Sequence, residues 1–153
     1  MLQQFEKLKS ARKFLITLIE DLNIEQLNQV PTGFSNNIIW NLAHLVAVQQ
    51  ALCYKRSGLQ PTILDKYYTP FLPNTKPEGF VDEADLEIIK TLLISTLDEF
   101  ETDYKKSFFT NYTPFVTRYG AALDTIDDAL LFLPFHEGLH FGTILALKKL
   151  VKL

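Results

Sequence analysis

Residues Asn36–Ser57 read NNIIWNLAHLVAVQQALCYKRS, and this stretch decides the fold class. Apolar side chains would cover more than one face of a helix formed by it, which predicts a deeply buried helix. Ser35 or Asn36 is its predicted N-cap, and Gly58 is its predicted C-terminal stop. Such a helix is stable only when other apolar surfaces cover it, so the rest of the chain must supply them.

Two amphipathic segments on either side of this helix can supply that surface. In Leu2–Asn23, apolar residues recur at spacings of three, four and seven, as on one face of a helix. The other faces of this segment carry charged residues, namely Glu6, Lys9, Arg12, Lys13 and Glu20. A further segment begins at Asp82, a predicted N-cap, and has near-heptad apolar spacing from Leu86 to Tyr104. Both segments are predicted to be helices of a bundle.

A fourth helix is predicted over Thr125–Val151. Thr125 and Asp128 have the spacing of an N-terminal capping pattern. Pro134 lies inside this segment, and proline lacks an N–H and clashes with the carbonyl one turn earlier. We therefore expect the helix to kink or split there.

Two long connections join these helices, over Gly58–Val81 and Thr110–Asp124. The first contains four prolines and four aromatic residues, and we expect it to pack across the bundle as a strap or lid. No stretch alternates with period two for long enough to predict a strand. The sequence therefore predicts an all-α protein with a single domain over residues 1–153, a four-helix bundle with long crossover connections.

Composition excludes several classes of protein. The chain has 15 Lys and Arg against 18 Asp and Glu, and this lack of basic excess argues against nucleic acid as a partner. No apolar run approaches the roughly 18 residues of a membrane span, and charges throughout the N-terminal stretch predict no secretory signal. Cys53 is the single cysteine and is predicted to be a core residue in a reducing, cytoplasmic protein.

The chain has three histidines, and two of them are spaced for a metal site. His136 and His140 lie one helical turn apart on the same face, so their imidazoles can converge on one ion. His44 lies in the apolar second segment, where an isolated histidine needs a buried hydrogen-bond partner. One hypothesis is a three-histidine metal site, and the alternative for His44 is a core histidine satisfied by a hydrogen bond.

His136–His140 also reads H-E-x-x-H, the pattern of zinc peptidases. Those enzymes need a third ligand farther along the chain, but the thirteen residues after His140 include no histidine and no acid. They also usually hold an extended peptide on an edge strand, and no strand is predicted. A peptidase is therefore disfavoured.

Two motifs give the chain a resemblance to a known family. Trp40–Leu45, WNLAHL, resembles the W-x-x-x-H-L pattern in the second helix of the DinB/YfiT-like superfamily of four-helix metalloproteins. His136–Gly142, HEGLHFG, resembles the H-E-x-x-H-x-G pattern in the last helix of that superfamily. Their order and separation agree as well, so the resemblance covers essentially the whole chain.

This resemblance implies one divalent metal ion per chain, held by His44, His136 and His140. Imidazole ligands suit Zn, Ni, Co, Cu and Fe(II), among which we expect zinc or nickel. The resemblance also implies a homodimer and a small-molecule substrate, since members include transferases and isomerases that use low-molecular-weight thiols. Phe141 and Thr143 replace a frequent arginine and a frequent glutamine of the family, and the substrate does not carry over.

Two function classes follow from such a centre. The first is a metal-dependent enzyme, either a thiol-dependent S-transferase or a hydrolase, because an open position on the ion can lower the pKa of a water or a thiol. Glu137 is then the candidate catalytic general base. The second is a non-catalytic bundle that binds a metal or another ligand. Asn37 and Asn41 are candidates to orient the imidazoles, although ordinary cap or surface duty is the favoured interpretation for each.

Overall fold

The computed structural model describes residues 1–152. Four long helices account for most of these residues, and one short helix lies between the first two. Their bounds are α1 Leu2–Leu18, α2 Ile24–Asn28, α3 Ile38–Gln49, α4 Glu83–Lys105 and α5 Ile126–Leu150. The prediction of an all-α bundle is therefore confirmed.

The four long helices enclose one another's apolar faces. α1 packs against α4 and α5, and α3 packs against the same two helices. Successive long helices α1 and α3 therefore occupy diagonal corners, as do α4 and α5, which requires the connections to cross the bundle. Fully buried residues from all four helices fill the centre, including Leu15, Leu42, Leu93 and Ile144.

The first helix differs from its predicted bounds. α1 ends at Leu18 instead of Asn23, and the separate helix α2 follows it. Asn23 explains the break, because its side chain accepts a hydrogen bond from the Gln26 backbone N–H and caps a new helix. The Gln26 side chain accepts one from the Asn23 backbone N–H in return, which completes a capping box.

The buried second segment changes its helical geometry before it ends. α3 continues without interruption into a π-helical turn over Gln50–Tyr54 and then a 3₁₀ turn over Lys55–Ser57. Single π turns inside helices are frequent at functional sites, because they shift the register of the side chains that follow. The N-cap is Asn37, not Ser35 or Asn36, since the Asn37 side chain accepts from the Trp40 backbone N–H at 2.8 Å.

The predicted starts of α4 and α5 are confirmed. Asp82 caps α4, and Thr125 forms a capping box with Asp128 at the start of α5. Pro134 does not split α5, which runs as one helix from Ile126 to Leu150.

A small hairpin that the sequence did not predict precedes α5. Its strands, β1 Phe115–Val116 and β2 Ala122–Leu123, pair antiparallel with Phe115 opposite Leu123. Two residues per strand are too few to produce a detectable alternation of side chains. Gly120 in the connecting turn has a φ of +80°, a conformation that glycine adopts without strain.

The Gly58–Val81 connection packs across the bundle, as predicted for a strap. It contains two 3₁₀ turns, over Asp65–Tyr67 and Thr69–Phe71. Its far end is fixed by Asn28, whose side chain both accepts from the Val81 N–H and donates to the Val81 carbonyl. The strap is therefore anchored to α2 just before α4 begins.

α5 is the one described helix that is long and apolar enough to cross a membrane, with a mean hydropathy of 1.4 over its most apolar window. α5 is not an unbroken apolar run, because Glu137 and two histidines interrupt it. The core helix of a bundle passes the same test of length and composition. Because α5 packs against α1 and α3 and contributes core residues such as Leu133, it is a bundle helix and not a membrane span.

Candidate metal centre

The structure brings the three histidines together between α3 and α5. His44 projects from α3, and His136 and His140 project from successive turns of α5. One ring nitrogen from each lies within 4.8 Å of the other two, close enough for all three to bind a single ion. Within residues 1–152, no further His, Cys, Asp or Glu side chain joins this group.

The strap fixes the ring of His44. Its Nδ1 lies 2.6 Å from the carbonyl oxygen of Phe71, and since a carbonyl can only accept, Nδ1 carries the proton and Nε2 is free. Trp40, one turn earlier on α3, stacks on the imidazole with ring centroids 4.4 Å apart. The Trp40 indole N–H donates to Thr75 Oγ1 of the strap at 3.1 Å. His44 is thus held from two sides.

Asn41 fixes the ring of His140. Asn41 Oδ1 lies 2.8 Å from Nδ1 of His140, while Asn41 Nδ2 donates to Asn36 Oδ1 and to the Asn37 carbonyl. Those two acceptors determine which end of the amide faces His140, so Nδ1 of His140 is the donor and its Nε2 is free. The favoured interpretation of Asn41 as a cap or surface residue was therefore wrong. The same interpretation is correct for Asn37, which caps α3 in place of the predicted Ser35 or Asn36.

His136 differs from the other two histidines. It is 7% exposed, and its Nδ1 has no hydrogen-bond partner among residues 1–152. A buried polar nitrogen without a partner is unusual and costly in a native protein. His44 and His140 are held through Nδ1 and each has a free Nε2. Together with the buried His136, they form a donor set that fits a divalent ion such as zinc.

The surroundings keep all three imidazoles neutral. Burial lowers the pKa of His44 and His140 to about 4, and burial together with the two neighbouring histidines lowers the pKa of His136 to about 3. The Arg118 guanidinium also lowers the pKa of each ring by charge repulsion. At neutral pH the rings are therefore unprotonated, which is the form that binds a metal ion.

The histidines form one wall of a cavity of about 610 Å³. The opposite walls come from the π turn of α3, the strap and the β1–β2 hairpin. Apolar side chains such as Leu52 and Phe132 line it together with Arg56 and Arg118. This volume lies in the range of small-molecule sites.

Glu137 lies apart from this cavity. Glu137 is 5% exposed, and its Oε1 accepts from Arg12 Nη2 at 2.7 Å and from Arg12 Nε at 3.0 Å. Glu137 borders a second hollow, between α1 and α5, and is absent from the walls of the histidine cavity. Arg12 is fully buried, so its predicted place on an outer face of the first helix was wrong. The general-base role of Glu137 stays a prediction.

Cys53 lies outside the centre. It is fully buried on the π turn in the other half of the core, and burial raises the pKa of its thiol well above the usual range. It is a core residue, as expected.

Sequence reasoning missed the Phe71 carbonyl and the arginines of the cavity. A backbone carbonyl leaves no mark in a sequence, so nothing could have identified Phe71. Neither Arg56 nor Arg118 belongs to a motif that marks it as a cavity residue. Arg56 lies just before the Gly58–Val81 connection and Arg118 lies within the Thr110–Asp124 connection, so their distance from the histidines depends on the path of these loops.

Comparison with known proteins agrees with this geometry. The model of the DinB superfamily matches residues 7–144, which include all three histidines. No match was found among curated proteins or among solved structures. Since residues 7–144 span nearly the whole chain, this protein belongs to the DinB superfamily.

Proposed function

We propose that this protein is a divalent-metal-dependent enzyme that acts on a small molecule in the histidine cavity, as a thiol-dependent S-transferase or a hydrolase. The observation that carries the proposal is the convergence of three neutral histidine nitrogens, within 4.8 Å of one another, on a cavity of about 610 Å³. Three protein ligands beside an open cavity are typical of catalytic zinc sites, whereas structural sites have four.

The residues of the chain hold this arrangement before any substrate binds. Phe71 and Asn41 orient two of the imidazoles, and the stacked Trp40 restricts the rotation of His44. When bound, a divalent ion supplies a Lewis acid that lowers the pKa of a water or a thiol in its open position. The apolar residues Leu52 and Phe132 line the same cavity.

The competing proposal is a bundle that binds a metal or another ligand without catalysis. A fourth protein ligand or a filled cavity would favour it, and among residues 1–152 the cluster has three members beside an open cavity. These features favour the enzyme. They support a catalytic metal site, while the proposed thiol or hydrolysis chemistry comes from the family resemblance.

Metal analysis tests the proposal most directly. Purified wild-type protein is dialysed against zinc or nickel, and elemental analysis is expected to find about one ion per chain. His140→Ala should lose that ion, while Lys149→Ala, an exposed residue at the far end of α5, should keep it. Equal metal content in wild type and His140→Ala would contradict a three-histidine centre. A screen of the loaded enzyme with thiols and electrophilic or ester substrates then separates catalysis from binding.

A further inference from the structure

The charged side chains that line the cavity are all positive. Arg56 and Arg118 both line the cavity beside the three histidines, and no Asp or Glu from residues 1–152 does. Three neutral imidazoles would add nothing to offset this charge, and a divalent ion held by them would increase it. The cavity is therefore an electropositive pocket in a protein whose overall formal charge is −3.

Neither guanidinium has a carboxylate partner among residues 1–152. Arg56 is half-buried and lies over the Phe115 ring, 4.2 Å from its centroid. Arg118 donates only to Asn74 Oδ1, at a long 3.4 Å. Buried Arg12, in contrast, donates to five different acceptor atoms. A guanidinium has five N–H donors, so Arg56 and Arg118 keep most of theirs free.

The two arginines place positive charge beside the site where the histidines would hold a cation. Arg118 lines the same cavity as the three imidazoles, so its positive charge lies beside any ion that they would hold. The same charge repels any cation bound by those imidazoles, and an anion between them would remove this repulsion. The stacking of Arg56 on Phe115 holds a planar, bidentate donor at the same cavity, the geometry that carboxylates and phosphates prefer.

We propose that the histidine cavity binds a small organic acid whose carboxylate or phosphate is held by Arg118 and Arg56. The apolar part of this ligand would lie against Leu52 and Phe132, which face the same cavity. This inference rests on the proposed function, because it identifies the class of substrate for that centre. An anionic substrate also explains why the walls lack acids, since a single carboxylate there would neutralise one arginine and repel the ligand.

Titration calorimetry on the zinc-loaded full chain tests this inference with hexanoate, hexyl phosphate and hexanol, three ligands with the same apolar part. Both anions should bind at least about tenfold more tightly than hexanol, as expected for one charge-assisted hydrogen bond. Arg118→Gln should weaken anion binding by about tenfold or more and leave hexanol unchanged. Arg118 is exposed on the β1–β2 turn, so this variant should fold.

Two controls separate the arginines from net charge and from the metal. Lys55→Gln removes one positive charge next to Arg56 in the sequence but outside the cavity, and should bind hexanoate like wild type. Arg56→Gln should weaken anion binding as Arg118→Gln does. Equal affinity for hexanoate and hexanol, no binding of either anion, or equal hexanoate affinity in wild type and both arginine variants would overturn the inference.

The same samples distinguish failure of this inference from failure of the proposed function. Zinc content is measured before each titration, and each titration is repeated on metal-free protein. Arginine-dependent binding of hexanoate by a protein that takes up no zinc would support the anion site and contradict the metal centre. One equivalent of zinc per chain without arginine-dependent binding of hexanoate would support the metal centre and contradict the anion site.

Discussion

Arg12 of α1 and Glu137 of α5 lie 125 residues apart in the sequence and form a buried ion pair, with 2.7 Å between Nη2 and Oε1. Arg12 also donates to the Leu45 carbonyl of α3 and to the Leu93 carbonyl of α4. One side chain thus bonds to the three other long helices. Because Glu137 is next to His136, this network also fixes the turn of α5 that carries a candidate metal ligand.

Breaking this pair should destabilise the fold strongly. Arg12→Met leaves the Glu137 carboxylate buried without a counter-charge, and we expect a loss of about 3–5 kcal/mol in the free energy of unfolding. Urea denaturation, monitored by circular dichroism, measures this free energy of unfolding. The double variant Arg12→Met/Glu137→Gln should lose less unfolding free energy than the two single variants lose in total.

Lys105→Met is the matched control for this experiment, because Lys105 is an exposed residue that forms an ion pair with the half-buried Glu101 on α4. Lys105→Met should lower the free energy of unfolding by about 0–1 kcal/mol. An Arg12→Met variant as stable as Lys105→Met would show that the buried pair contributes nothing. Glu137→Gln also tests the general-base hypothesis, since loss of activity in fully folded, metal-loaded protein would support that role.

Asn41 should control metal affinity through His140. Asn41→Leu removes the acceptor that orients the ring, and we expect zinc affinity to fall by about 10–100-fold, as for other residues that orient metal ligands. Competition with a chromogenic chelator measures this change. The matched control is Asn37→Ala, which removes a helix cap in the same segment and should cost about 1 kcal/mol of stability with little change in zinc affinity. Equal zinc affinities in the two variants would argue against an orienting role.

Trp40 should report occupancy of the centre. Its ring stacks on His44 at 4.4 Å and lies 6.4 Å from the His140 ring, so a paramagnetic ion such as Cu(II) or Co(II) should quench its emission. Trp40 is the single tryptophan, which makes the signal specific. Quenching should saturate near one equivalent per chain and disappear in His136→Ala. Emission that is indifferent to a tightly bound ion would place the ion elsewhere.

Metal binding should stabilise the protein without being required for its fold. An ion that binds only the folded chain raises the free energy of unfolding by about 2.7 kcal/mol at a free concentration of 100 times its Kd. Thermal melts with and without zinc should differ accordingly. Chelation should leave the helical signal intact, because the core formed by the four long helices does not depend on the ion. Complete loss of that signal on chelation would make the ion structural.

The metal-free protein should lose stability as the pH falls from about 6.5 to about 4. Burial lowers the pKa of the three histidines to between about 3 and about 4 in the folded state, against an ordinary value of 6.5. The unfolded chain therefore binds more protons in this range, so acid favours unfolding. Urea midpoints measured between pH 4 and 7 test this. His44→Gln should flatten the dependence, and an unchanged slope in that variant would contradict the depressed pKa of His44.

Much of the fold is determined by local sequence. Asp82 and Thr125 mark their helix starts because a capping side chain bonds a backbone N–H only three residues away. The apolar pattern of Asn36–Ser57 predicted burial because burial of a helix depends on which of its faces are apolar. The same local rules missed the break after Leu18 and the hairpin at Phe115–Val116, where short elements give too little periodicity.

The candidate metal centre was likewise predicted in part from the sequence and decided in part by tertiary packing. Helical spacing alone places His136 and His140 on one face. The sequence left His44 open between a third ligand and a core histidine, and the family resemblance favoured the ligand. The partners of those rings, the Phe71 carbonyl and Asn41 Oδ1, were decided by how the strap crosses α3 and how α3 packs on α5. The burial of Arg12 against Glu137 and the position of Arg118 in the same cavity as the histidines were decided by the same packing. Contacts between residues far apart in the chain depend on the packing of whole elements, and no local pattern in the sequence encodes that packing.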